Sequence, residues 1–207
     1  MDETAVTFAS GDLTLEGLIA TPGGDVTRAA VVCHPHPMYG GSMYNNVVEA
    51  VLDALWARGY ATLRFNFRGV EASEGEYDGG EGECEDARAA VRFIADRARV
   101  KTVMLAGYSF GASVALRAGL ADPSVTSIIA VALPVAMAGG AAVPSSAKPV
   151  LLVSGDRDSY SPLEPLRAMA EKIGDAARLE VISGADHFFG GFESQLSAAI
   201  GRALDTR

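Results

Sequence analysis

Apolar and amphipathic stretches alternate along nearly the whole chain. Thr4–Phe8 and Leu13–Ala20 read as two strands of a hairpin around Ser10-Gly11-Asp12. Ala29–Cys33 is a short, fully apolar run of strand length. Asn46–Arg58 carries apolar residues at helical spacing and stops at Gly59, a helix-ending residue. Tyr60–Phe67 reads as a strand, Arg68–Gly82 as a loop rich in Gly and Glu, and Glu83–Ala98 as an amphipathic helix. Then follow a strand at Thr102–Ala106, a helix at Phe110–Leu120, a buried strand at Val125–Leu133 and a small-residue loop at Pro134–Lys148. Pro149–Val153 and Arg178–Ile182 read as strands, Leu163–Ile173 and Phe189–Leu204 as helices. This order predicts an α/β fold, a mainly parallel twisted sheet with helices on both faces, in one domain spanning 1–207.

Open sheets of this kind bind ligands beyond the carboxyl ends of their strands, so the residues just after each strand belong together. They are His34-Pro35-His36-Pro37, Asn66-Phe67-Arg68-Gly69, Tyr108-Ser109, Gly155-Asp156-Arg157-Asp158 and Ala185-Asp186-His187. Within them, Gly107-Tyr108-Ser109-Phe110-Gly111 sets a serine between two glycines at a strand-to-helix junction. Glycines two before and two after a serine remove the side chains that a sharp bend would crowd. The helix behind it offers unpaired N–H groups and a partial positive charge. The chain holds 23 glycines, so the pattern gains its weight from lying between an apolar strand and a helical pattern.

A serine hydroxyl needs a base within hydrogen-bond reach, and the base needs an orienting acid. The chain has three histidines. His34 and His36 precede Ser109; His187 follows it. On a sheet of this kind the working order is Ser, then Asp or Glu, then His. Ser109, an aspartate after the Pro149–Val153 strand and His187 fit that order. Asp156 and Asp158 are both candidates for the acid, with the other, like Asp186, left as a turn residue. The first oxyanion donor is the N–H after the nucleophile, that of Phe110.

Composition narrows the function without naming it. The 49% hydrophobic and 21% charged content is that of a globular protein. A net charge of −9 speaks against nucleic acid and anionic membranes as partners and leaves a small-molecule substrate. The acidic start Met1-Asp2-Glu3-Thr4 lacks the features of a secretory signal, and a cytoplasmic location is the default expectation. Two cysteines, Cys33 and Cys84, make no disulfide framework. A metal at Cys33-His34-Pro35-His36 is disfavoured, because ligands so close together rarely complete one site; no metal and no cofactor are expected. His34 is expected to brace its loop, and Arg68 to brace the acidic loop carrying Glu71, Glu74, Glu76 and Asp78.

The stretches CHPHPMYGGSMYNNVV (Cys33–Val48), LRFNFRGVEASEG (Leu63–Gly75), GYSFGAS (Gly107–Ser113), SGDRDSYSP (Ser154–Pro162) and SGADHFFGG (Ser183–Gly191) together resemble the α/β-hydrolase superfamily. The chain is most similar to small cap-less bacterial hydrolases related to dienelactone hydrolase and the S33 peptidases. The resemblance implies an acid three residues after the strand-ending glycine, hence Asp158 after Gly155. It implies a second oxyanion donor just after a His-Gly pair, which this chain replaces by His34-Pro35, hence the N–H of His36. It also directs attention to the segment where many relatives insert a cap. Here Pro134–Lys148 has too little bulky apolar surface to cover a site. An open cleft is expected, flanked by Met38, Tyr39, Phe110, Tyr160 and Phe188. The expected activity is hydrolysis of small soluble carboxylic esters through an acyl-enzyme. The same residues would serve a thioesterase or small peptidase. A non-catalytic binding protein on this scaffold is the rival from another class, and the intact Ser, Asp and His set speaks against it.

Overall fold

The structure, a computed structural model, describes residues 2–137 and 146–206. Its strands are β1 (Thr4–Ser10), β2 (Leu13–Ala20), β3 (Ala29–Cys33), β4 (Ala61–Phe65), β5 (Val103–Tyr108), β6 (Val125–Val131), β7 (Val150–Gly155) and β8 (Ala177–Ile182). They form one sheet in the order β1-β2-β4-β3-β5-β6-β7-β8. β1 and β2 are the expected antiparallel hairpin, and β2 lies antiparallel to β4. From β4 to β8 all pairings are parallel.

The parallel strands are apolar because both faces are covered. Every residue of β3, β4, β5 and β7 is buried. Alternate side chains enter two separate cores. Val31, Cys33 and Leu105 point toward α2 (Glu81–Ala98), α3 (Phe110–Ala121) and α4 (Leu163–Ile173). Ala30, Val32, Met104 and Ala106 point toward α1 (Asn46–Trp56) and α5 (Glu193–Asp205). α3 is buried almost all round, so its first turn sits at the centre of the molecule.

Most expected bounds shift by a residue or two, and three shifts have a clear local reason. β5 runs on through Gly107 and Tyr108, which pair with Ala130 and Val131 of β6. α2 starts at Glu81, because the Glu83 carboxylate reaches back to accept the Gly80 and Asp78 N–H groups at 2.7 and 2.9 Å. The closing helix begins at Glu193 rather than Phe189: Phe189 and Gly191 stand at φ +54° and +78°, left-handed values that cannot continue a helix. Of the expected loop Pro134–Lys148, residues 138–145 lie outside the described residues. Beyond them, the Lys148 ammonium donates to the Gly119 and Asp122 carbonyls and ties the loop's end to the C-terminus of α3.

Candidate active site

Ser109 lies on the bend between β5 and α3 with φ +55° and ψ −118°, a conformation that costs a non-glycine residue about 1–3 kcal/mol. Its N–H donates to the Val131 carbonyl at 2.9 Å, which anchors the bend to β6. The flanking glycines are obligatory in this packing. A Cβ on Gly107 would lie 2.1 Å from the Gly111 carbonyl oxygen, and one on Gly111 would lie 2.4 Å from both the Cys33 and His34 carbonyl oxygens.

The structure brings Ser109, His187 and Asp158 into one chain of hydrogen bonds. Ser109 Oγ is 3.0 Å from His187 Nε2, and His187 Nδ1 is 2.8 Å from Asp158 Oδ2. An ionised carboxylate only accepts, so Nδ1 carries the ring proton and Nε2 turns a lone pair to the serine. Asp158 is itself held: its Oδ1 accepts the Tyr160 and Ser161 N–H groups, each at 2.9 Å. Asp156 is engaged elsewhere. Its carboxylate accepts the Gly184 N–H at 2.7 Å and the Ser183 hydroxyl at 2.9 Å, and these bonds hold its carboxyl below the usual carboxylate range. Asp186 closes a turn by accepting the Phe188 N–H at 3.0 Å.

His34 fixes the loop that carries the His36 N–H. His34 is fully buried, and its Nε2 accepts the Phe67 N–H at 3.0 Å. Nδ1 therefore holds the proton and donates to the Pro35 carbonyl at 2.6 Å. A trans peptide points its C=O and N–H opposite ways, so drawing the Pro35 carbonyl toward His34 aims the His36 N–H away from it. Burial pushes the His34 imidazole down to about 4, against a smaller opposing effect of its bond to Pro35, which keeps it neutral. Among the described residues the N–H groups of His36 and Phe110 have no partner. The His36 ring accepts the Met38 N–H at Nδ1, 3.2 Å away. It packs against Tyr39, Tyr77 and Phe110 with centroids 4.8, 5.0 and 4.8 Å apart.

A cleft of about 780 Å³ opens over Ser109 and His187. Tyr39, Phe110, Tyr160 and Phe188 line it, as do Pro35, Gly40, Gly41, Asn45, Pro134 and Met137. Met38, expected in the wall, is absent from the lining; it sits on the 3₁₀ turn Pro37–Tyr39 with 67% of its surface exposed. Arg68 does brace, but its main partner is Asp86 of α2, held by two guanidinium bonds of 2.8 and 3.0 Å, with Asp78 4.0 Å away. Tyr108 is a residue that reading the sequence missed. Its hydroxyl donates to the His187 carbonyl at 2.9 Å, and burial, reinforced by the charges of Asp158 and Asp186, holds the phenol protonated. The available signal was a bulky polar ring closing an apolar strand. No group of three or more His, Cys, Asp or Glu is placed to hold a metal among the described residues.

The sheet order, the strained serine between β5 and α3 and the histidine beyond β8 define the class: an α/β hydrolase. The family model described as an alpha/beta hydrolase domain matches residues 29–197, and the chain belongs to that family. Among solved structures, an alpha-beta serine hydrolase homologue from Coxiella burnetii is 38% identical, with 99% of this chain and 98% of that chain covered and a TM-score of 0.91. A Xanthomonas campestris protein, described as an a/b serine hydrolase without lid, is 31% identical over 100% of this chain and 95% of its own, with a TM-score of 0.89. An uncharacterized protein of Rickettsia prowazekii (strain Madrid E) is 31% identical over 201 residues, 93% of this chain and 84% of the relative. Among the described residues no helix is long and apolar enough to cross a membrane.

Proposed function

We propose that the protein is a serine hydrolase that cleaves small, soluble carboxylic esters through an acyl-enzyme. The observation that carries this reading is the unbroken chain from Ser109 Oγ through His187 to Asp158, at 3.0 and 2.8 Å, opening on a cleft. His187 Nε2 takes the Ser109 proton as Oγ attacks the ester carbonyl. Asp158 holds the ring in the tautomer that leaves Nε2 free and stabilises the imidazolium that forms. The His36 and Phe110 N–H groups bind the oxyanion of the tetrahedral intermediate. His187 returns its proton to the leaving oxygen. It then draws a proton from water as the water attacks the acyl-Ser109 carbonyl, and returns that proton to Ser109 Oγ as the acyl–oxygen bond breaks and the acid leaves. Tyr108, whose hydroxyl donates to the His187 carbonyl, acts as a positioning residue.

The test is labelling by a fluorophosphonate and turnover of p-nitrophenyl acetate, in wild type and Ser109→Ala. The wild type is expected to label and to hydrolyse the ester. Ser109→Ala is expected to do neither, with turnover lower by a factor on the order of 10⁶ and an unchanged far-UV circular dichroism spectrum. A wild type that neither labels nor turns over, or a variant as active as wild type, overturns the assignment.

A further inference from the structure

Two features of the cleft go beyond ester hydrolysis as such. Its lining contains no Asp, Glu, Lys or Arg among the described residues. In a chain of net charge −9, such a cleft offers no partner to a charged substituent and repels an anionic one. The second feature is an exposed aromatic rim. Of the large hydrophobic side chains exposed among the described residues, Tyr39, Met137, Tyr160 and Phe188 all line the cleft. Clustered exposed apolar groups mark binding surfaces rather than chance.

The rim is placed with respect to the chemistry. Tyr160 and Phe188 flank the His187 ring, with centroids 4.9 and 5.6 Å away, and stand edge to face with each other at 6.3 Å. Both are built in. The Tyr160 N–H bonds Asp158, so its backbone is fixed by the acid. Phe188 precedes Phe189, which is fully buried at φ +54° and pins the turn that leaves Phe188 60% exposed. The group protonated by His187 is the leaving oxygen, so its substituent departs beside these two rings.

We infer that Tyr160 and Phe188 form a leaving-group subsite for an uncharged aromatic alcohol, so that the preferred substrates are neutral esters of aromatic alcohols with a small acyl part. This rests on the proposed function. Offset or edge-on ring contacts add to simple burial, an advantage over a saturated ring of about three- to ten-fold in rate.

The experiment compares kcat/KM for benzyl acetate, cyclohexylmethyl acetate and 4-carboxybenzyl acetate. The first two present similar volumes and alcohol leaving groups of similar basicity. Benzyl acetate is expected to lead cyclohexylmethyl acetate by about three- to ten-fold and the carboxylate by about ten-fold or more at low salt. In Phe188→Leu and Tyr160→Leu the benzyl preference should shrink toward unity, while cyclohexylmethyl acetate turnover and fluorophosphonate labelling persist. Equal rates on the two neutral esters, a preference unchanged in both variants, or faster turnover of the carboxylate overturns the inference and leaves the hydrolase reading standing. Absence of labelling and of turnover on every ester overturns that reading, and the subsite with it.

Discussion

Asp156 and Asp158 stand two residues apart on one loop, yet their carboxylates do different work. Asp158 is 5% exposed and bonded to His187, whereas Asp156 joins its loop to the Ser183–Gly184 turn. Asp158→Asn puts an amide against Nδ1 and favours the tautomer with the proton on Nε2. Its kcat is expected to fall by about 10³–10⁴, against a few-fold at most for Asp156→Asn. Steady-state kinetics on p-nitrophenyl acetate decides between them, and a larger loss in Asp156→Asn would reverse the assignment. His36 permits a separate test. Its φ of −56° suits proline, so His36→Ala and His36→Pro both lose the ring but only proline loses the N–H. The proline variant should be slower than the alanine variant by about 10²–10³, and equal rates would remove this N–H from the oxyanion hole. His34 reports on stability. Unfolded, its imidazole gains a proton near the ordinary value of about 6.5; folded, only near about 4. Acid therefore favours the unfolded chain through this window, and about 3 kcal/mol of stability is lost by pH 4 from this group. Urea unfolding at pH 7 and 4.5 should show a smaller acid loss in His34→Gln than in wild type.

At the level of elements, periodicity carries far. Leu13–Ala20, Ala29–Cys33 and Leu163–Ile173 form with the bounds their patterns suggest, since in each the local preference and the buried face agree. What periodicity does not hold is the lateral order of strands, in which β4 precedes β3, or the rotational phase of α2. That phase decides which acid meets Arg68. Its guanidinium bonds Asp86, which is fully buried and also bonded by Ser10 at 2.7 Å, and reaches the acidic loop nearer in sequence at Asp78, 4.0 Å away. Ser109 and His187 could be paired from the sequence because each follows a strand end and strand ends gather on one edge of a parallel sheet, whereas the choice of Asp158 over Asp156 and of the His36 N–H came from the resemblance to the hydrolases. Met38 was misplaced because the direction of a side chain at a turn is set by backbone angles that residue type does not reveal, and the role of Tyr108, the last residue of β5, rests on a contact with the distant His187 carbonyl that the strand pattern does not show.

For the whole molecule, the question is how much of a substrate it can enclose. The cleft walls come from the Pro37–Tyr39 turn, Tyr160, Phe188 and the start of the segment after β6, and that segment is made of small residues. Such walls bury little of a long acyl chain, and each buried methylene would be worth about 0.8 kcal/mol. Across p-nitrophenyl esters of rising chain length, kcat/KM is expected to peak at short acyl groups, with no jump above the solubility limit. A sharp optimum at long chains would show that more of the chain is covered than these walls allow.

The contact of Gly111 with the Cys33 and His34 carbonyls has a consequence for variation. The first turn of α3 and the end of β3 run backbone against backbone, so part of the joint between the serine and the donor loop depends on no side chain that substitution could loosen. The aromatic rim hangs on separate turns outside this joint. A lineage could therefore exchange Tyr39, Tyr160 and Phe188 freely, trading one clientele of molecules for another, while the chemistry beneath stayed in register. Positions 107 and 111 would admit almost no alternative.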